Sequence, residues 1–413
     1  MVNNLYKILR QENLIQEQEH ISKSDNVRMT YNLPADLSTL ELITRRGYPA
    51  ETHDIVTQDG YILITYRIPY GKRSNSFNRR YNKFPVYVMH GGAMSSSDWL
   101  INLDEDNVSH LLANAGYDVW LGNTRGKIYA NRHVNLTHHQ TKFWDFSFDE
   151  TANYDMPNSI DYILDVTKMP KLHFVGYSLG NTQFFMALAN QPEYNEKIGI
   201  HISYAASVFF ATYAESNRLF ALVWNRPLQI LQKLIGGFPL PPQGIGFMLN
   251  QILLRICNPN LDILGVCRQM LFLIMGFGPE QISKEQTPSI LGHLMTPTSL
   301  KMLVQLNQFM KNDRLSYYDY GAWQNLRLYG TSTPPLYNVR NVRAPTALVL
   351  AQNDVFANAQ GYERLLKVLP NVVNSYTIPS KTFSHIDFVY ASNANEMVYN
   401  HTIELINKFS YVH

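Results

Sequence analysis

The chain has 413 residues, 45% hydrophobic and 16% charged, a balance that can bury a large core and excludes a disordered chain. Its 35 Lys and Arg nearly match its 33 Asp and Glu, so charge gives no reason to expect a nucleic-acid partner. No apolar run is long enough for a transmembrane helix, and Met1 to His20 lacks the apolar stretch of a secretory leader, which leaves a cytosolic location open.

Met1 to about Ser38 is polar and mixed, and residues 1–48 are expected to form an N-terminal arm with a short helix. Ile55 to Thr57 and Tyr61 to Ile68 flank Gln58-Asp59-Gly60, which predicts a hairpin turning at Asp-Gly. Lys72 to Lys83 reads as a basic, solvated loop. Pro85 to Met89 and Tyr117 to Leu121 are β-branched and aromatic runs that read as strands, with a helix over Val108 to Ala115 between them. The first run ends in His90-Gly91-Gly92-Ala93 and the second in Gly122-Asn123-Thr124-Arg125-Gly126. Asp149 to Thr167 carries an apolar stripe at Met156, Ile160, Ile163 and Leu164, the spacing of a helix.

Lys171 to Val175 suits a buried strand, Leu179 to Asn190 suits a packed helix, and Gly176-Tyr177-Ser178-Leu179-Gly180 between them matches G-x-S-x-G. Strand, sharp turn and helix is the setting of a nucleophile elbow, where side chains in place of either glycine would collide with the strand or helix. Gly199 to Ala205 is a further strand. Such alternation builds an α/β fold with a mainly parallel sheet, and places ligands beyond the carboxyl ends of the strands. Residues 209 to about 335 break the alternation with apolar pieces separated by prolines and read as a largely helical insertion, a cap. Its apolar pieces, such as Leu219 to Val223 and Met270 to Met275, suit an acyl pocket, a lipid surface or plain packing on the core. The alternation returns with a strand at Thr346 to Leu350, a helix at Asn358 to Leu369, a strand at Val373 to Ile378 and a helix at Asn393 to Phe409. The core is therefore expected in two pieces, residues 49–208 and 336–413.

A serine hydroxyl needs a base, and on this type of fold the chain order is Ser, acid, His. Past position 350 the histidines are His385, His401 and His413; His401 lies on the last helix and His413 is terminal, which leaves His385 in the loop Ser380 to Asp387. Among Asp262, Asp313, Asp319 and Asp354, only Asp354 follows a strongly apolar strand. Its role would be to hold the imidazole tautomer and stabilise the imidazolium. The oxyanion hole needs two backbone N–H groups, expected from Leu179 and from Gly92 in the His-Gly-Gly loop. Clusters such as His138-His139 read as loop residues, and neither a metal nor an organic cofactor is required. Cys257 and Cys267 are ten positions apart and suit either a short bridge or two buried thiols; sequons stand at Asn107, Asn135 and Asn400.

The stretches GYDVWLGNTRG (116–126), FWDFSFDE (143–150), YDMP (154–157), GYSLG, PPLYNV (334–339) and SHIDF (384–388) resemble the acid lipase family, which includes gastric and lysosomal acid lipases. The similarity runs from about Pro49 to Lys408. It implies an α/β-hydrolase core, a lid-bearing cap and hydrolysis of triacylglycerols or cholesteryl esters at a lipid droplet or micelle surface. It implies the triad Ser178, Asp354 and His385, oxyanion donors Gly92 and Leu179, a Cys257–Cys267 disulfide, a glycan at Asn107, and secretion or lysosomal delivery. The family usually has His and Gln where this chain has Tyr177 and Leu179, Leu where it has Gly92, and Ala-Gly-Thr-Ser where it has Thr296-Pro297-Thr298-Ser299. Two rivals use the same residues, a short-chain esterase or acyltransferase and a lipid-binding protein of this fold impaired in turnover.

Overall fold

The computed structural model describes residues 37–72, 84–102, 107–209, 215–242, 245–258, 260–261, 265–275, 281–294 and 296–410. Expectations for residues 1–36 and 73–83, and for Asp262 and His413, lie outside the described residues. The first described helix, α1 (Thr39–Arg45), starts at a capping box in which Ser38 and Glu41 bond each other's backbone N–H groups. Its Leu42 and Ile43 and the following Tyr48 are buried in the main core.

Strands β1 (Glu51–Val56) and β2 (Tyr61–Ile68) form the expected hairpin, turning where Gly60 takes a φ of +96°. Next come β3 (Pro85–Met89), α2 (Val108–Asn114), β4 (Asp118–Leu121) and a short β5 (Arg132–His133). Asp149 to Thr167 is not one regular helix: a turn at Phe148–Glu150 passes through a π turn, Thr151–Asp155, into α3 (Met156–Thr167). β6 (Leu172–Tyr177), α4 (Leu179–Asn190) and β7 (Ile198–Tyr204) follow. The segment before β10 (Thr346–Leu350) holds α5 (Glu215–Ile235), β8 (Pro239–Leu240), α6 (Ile245–Ile256), α7 (Val266–Met275), α8 (Thr287–His293), β9 (Thr298–Ser299), α9 (Leu300–Asn312) and α10 (Ala322–Tyr329). Then come α11 (Ala359–Val368), β11 (Val372–Thr377), a second π turn at Asn395–Tyr399, and α12 (Asn400–Ser410).

The main sheet runs β1-β2-β4-β3-β6-β7-β10-β11, with β5 on β2. From β4 to β11 every pairing is parallel, while β1, β2 and β5 make an antiparallel edge. Every residue of β3, β6 and β10 is buried, which explains why these strands read as continuous apolar runs and not as alternation. Edge strand β11 alternates between half-buried and exposed residues instead.

Among the described residues between β7 and β10, regular structure is helical apart from the β8–β9 pair and an isolated Ser316–Leu336 bridge. Leu300, Val304 and Tyr318 make a small cluster of their own with Leu228, Phe238 and Leu240. Leu271 and Phe272 of α7 are buried in the main core, whereas Val223 of α5 is exposed. Cys257 and Cys267 form a disulfide that ties the end of α6 to α7. Buried Asp149 fixes the insertion to the sheet side, accepting from Gln305 Nε2 (2.7 Å), Tyr337 Oη (2.8 Å) and the Tyr318 N–H (2.8 Å). Because all the parallel strands point one way, the loops after β3, β4, β6, β10 and β11 meet at one edge of the sheet.

Candidate active site

Ser178 lies at that edge, between β6 and α4, with φ 51° and ψ −122°. This left-handed, strained turn is sparsely populated by non-glycine residues and persists only where the surroundings enforce it. Those surroundings are visible: the Ser178 N–H donates to the Tyr204 carbonyl of β7, and its own carbonyl accepts from the Asn181 N–H. A Cβ on Gly176 would stand 2.2 Å from Asn181 Oδ1, and one on Gly180 would stand 2.6 Å from the His90 carbonyl oxygen. Both glycines of the pentapeptide are thus steric requirements of the strand–helix approach.

His385 reaches the serine from the loop after β11. Its Nε2 is 2.9 Å from Ser178 Oγ, and its Nδ1 is 2.8 Å from Asp354 Oδ2. Asp354 follows β10, and its other oxygen accepts from the N–H groups of Phe356 and Ala357, both at 2.8 Å. With Nδ1–H donating to the carboxylate, Nε2 is the acceptor for the serine proton. The three residues are 7%, 5% and 4% exposed in the order Ser178, His385, Asp354, so the relay is shielded from bulk water.

Opposite them runs the loop after β3. His90 is buried, its Nδ1 lies 2.8 Å from the Gly91 carbonyl, and its Nε2 accepts from the Thr124 N–H. Burial, assisted by the nearby charge of Lys127, lowers its pKa to about 3, so it is a neutral brace between the two loops. Among the described residues, the N–H groups of Gly92 and Leu179 have no hydrogen-bond partner. Gly92 and Leu179 are neighbours here, since a Cβ on Gly92 would stand 2.7 Å from Leu179 Cδ1. Thr296 braces the same loop: its N–H donates to the Ala93 carbonyl and its hydroxyl to that of Met94, at 2.9 Å.

Sequence reasoning missed this function of Thr296, and it also missed Arg125. Arg125 is fully buried and donates to Asp155 Oδ1 (2.8 Å) and to both carboxylate oxygens of Asp59, with its guanidinium 4.0 Å from the Tyr61 ring centroid. Burial opposes its charge, but Asp155 and Asp59 outweigh that and raise its pKa. The arginine in the 116–126 run was the available signal, yet nothing local names carboxylates as distant in sequence as Asp59 and Asp155. Asn107 is buried, with Oδ1 accepting from the Asn102 N–H; a glycan needs a surface asparagine, and Asn135 and Asn400 are the exposed sequons. Among the described residues, no group of His, Cys, Asp or Glu could hold a metal ion, and His138 and His139 pack on each other.

A buried serine, imidazole and carboxylate in one hydrogen-bonded line can perform acyl transfer. Residues 39–103 match the family model described as a partial alpha/beta-hydrolase lipase region, and residues 85–224 match the alpha/beta hydrolase fold. The chain is 35% identical over 382 residues to a gastric triacylglycerol lipase of Bos taurus, covering 92% of this chain and 93% of the relative. It is 34% identical over 378 residues to a lysosomal acid lipase/cholesteryl ester hydrolase of Rattus norvegicus, covering 91% and 92%. The solved structure of a bacterial membrane phospholipase A shares the fold, with a TM-score of 0.50 at 13% identity over 97% of this chain and all of that one. The chain therefore belongs to the gastric and lysosomal acid lipase family of the α/β-hydrolases.

Proposed function

We propose that this protein is a lipase that hydrolyses triacylglycerols or cholesteryl esters through an acyl-enzyme on Ser178. The observation that carries this reading is the line Ser178 Oγ–His385 Nε2, His385 Nδ1–Asp354 Oδ2, at 2.9 and 2.8 Å. Ser178 Oγ attacks the ester carbonyl while His385 takes its proton, and Asp354 stabilises the imidazolium so formed. The Gly92 and Leu179 N–H groups stabilise the developing oxyanion, each by about 3 kcal/mol of barrier. His385 returns the proton to the departing alcohol, then activates the water that releases the fatty acid.

A lipid surface is the natural source of substrate. Ile245, Met248, Ile252 and Ile256 of α6 are all exposed and fall at helical spacing on one face, and Ile230 and Leu234 of α5 are exposed as well. Basic residues Arg226, Lys233 and Arg255 accompany them. We assign residues 209–335 as the cap on a core of 49–208 and 336–413. Family membership supports secretion or lysosomal delivery. Among the described residues, no helix is long and apolar enough to cross a membrane.

The test compares the protein with Ser178→Ala on long-chain triacylglycerol, cholesteryl ester and a short-chain ester from acidic to neutral pH. Fatty-acid release from the long-chain substrates by the parent alone is expected. Equal release by both proteins, or none by either, would refute the reading, and turnover of the short ester alone would favour a short-chain esterase.

A further inference from the structure

A triad works only if the imidazole is held within a few tenths of an ångström of its productive position. Asp354 holds one edge of the His385 ring, but the loop that carries His385 needs its own anchors. Two are local: the Asn353 N–H donates to the Phe383 carbonyl, and the Ser384 N–H donates to Asp387 Oδ2 at 2.6 Å. A third comes from the elbow itself. Tyr177 is the last residue of β6 and is 1% exposed, and its hydroxyl donates to the main-chain carbonyl of His385 at 2.9 Å. Its ring lies against the imidazole, with centroids 5.0 Å apart.

The same ring touches the opposite loop. A Cβ on Gly91 would stand 2.8 Å from Tyr177 Cδ1 and Cε1, so Gly91 is a glycine because this ring occupies the space. Trp99 meets the ring at 6.1 Å in an edge contact, and Phe388 lies 6.3 Å away. Tyr177 is therefore wedged between the loop that offers the oxyanion donor and the loop that offers the base, one position before the nucleophile.

We infer that Tyr177 is a positioning residue for the reaction: its hydroxyl fixes the peptide of His385, and its ring sets the gap between the base and the Gly91-Gly92 loop. This rests on the serine-hydrolase reading above. An aromatic that only filled the core would need no donor aimed at the carbonyl of the histidine that bonds Ser178.

Tyr177→Phe keeps the ring and removes the hydroxyl. Leaving the buried His385 carbonyl unpaired and its loop less restrained should lower kcat about tenfold or more, with KM unchanged within about twofold. Labelling by a fluorophosphonate probe should slow in the same proportion, while its end point stays at one label per chain. That end point separates a mispositioned base from a misfolded protein. Gly91→Ala, which pushes the ring from the other side, should also lower kcat. A kcat within twofold of the parent in Tyr177→Phe, or in Gly91→Ala, would overturn the inference. So would a fall in kcat matched by a lower label end point. Ser178→Ala is run alongside: activity surviving in it sinks the serine-hydrolase reading, whereas its loss together with a normal Tyr177→Phe sinks only the role of Tyr177.

Discussion

His110 should make this fold acid-sensitive, in a way that one substitution can isolate. The side chain, on α2, is fully buried and stacks on Tyr48 with centroids 4.3 Å apart. Among the described residues, neither ring nitrogen has a hydrogen-bond partner. Burial, with the nearby charges of Arg46 and Lys72, lowers its pKa from 6.5 to about 3. Between those values the unfolded chain binds a proton there and the folded chain does not, so stability falls as pH falls. The contribution is fully present above pH 6.5 and diminishes towards pH 3. From pH 7 to pH 5 the loss is about 2 kcal/mol for this residue, a large share of a typical folding free energy of about 5–15 kcal/mol. His110→Phe keeps the stacking ring and removes the titration. Urea unfolding of both proteins at pH 7 and pH 5 measures the effect. The variant should gain about 2 kcal/mol on its parent as pH drops between these values. A stability difference between variant and parent that is the same at both pH values would refute the reasoning. His90, His173 and His201, each buried and lowered to about 3, add slopes of the same sign. Asp149 and Asp387, pushed up by burial to about 6, oppose them, since their folded forms hold protons that the unfolded chain has released.

Three further outcomes are expected. Asp354→Asn should keep the fold but lower kcat by about 10³–10⁴, read on a soluble ester, because the amide cannot stabilise the imidazolium. Arg125→Met leaves the buried Asp155 carboxylate without its cation and should cost about 3–5 kcal/mol in urea unfolding near neutral pH. Gly92→Ala brings a Cβ within 2.7 Å of Leu179 Cδ1, the tip of a flexible side chain; kcat/KM should fall only a few-fold, and Leu179→Ala in the same chain should restore it.

Much of this was written in short stretches of chain. Strands β3, β6 and β10 announce themselves because burial on both faces demands unbroken apolar runs, and Gly176-Tyr177-Ser178-Leu179-Gly180 because a tight strand–helix turn tolerates little else. The order of Ser178, Asp354 and His385, each after a strand, followed from those local signals plus the rule that parallel strands point their carboxyl ends to one edge. Contacts between residues far apart in sequence were not legible in the same way. Periodicity cannot say that Tyr177 reaches the His385 carbonyl, that Gly92 and Leu179 share a space, or that Arg125 gathers Asp59 and Asp155. Nor could it show that α1 packs into the core, or that the Asn107 sequon faces inward. Local conformation depends on neighbours a few residues away, and the sequence lists those directly. Burial and side-chain partnership depend on which distant segments the folded chain brings together, and only the packed sheet and its loops specify that.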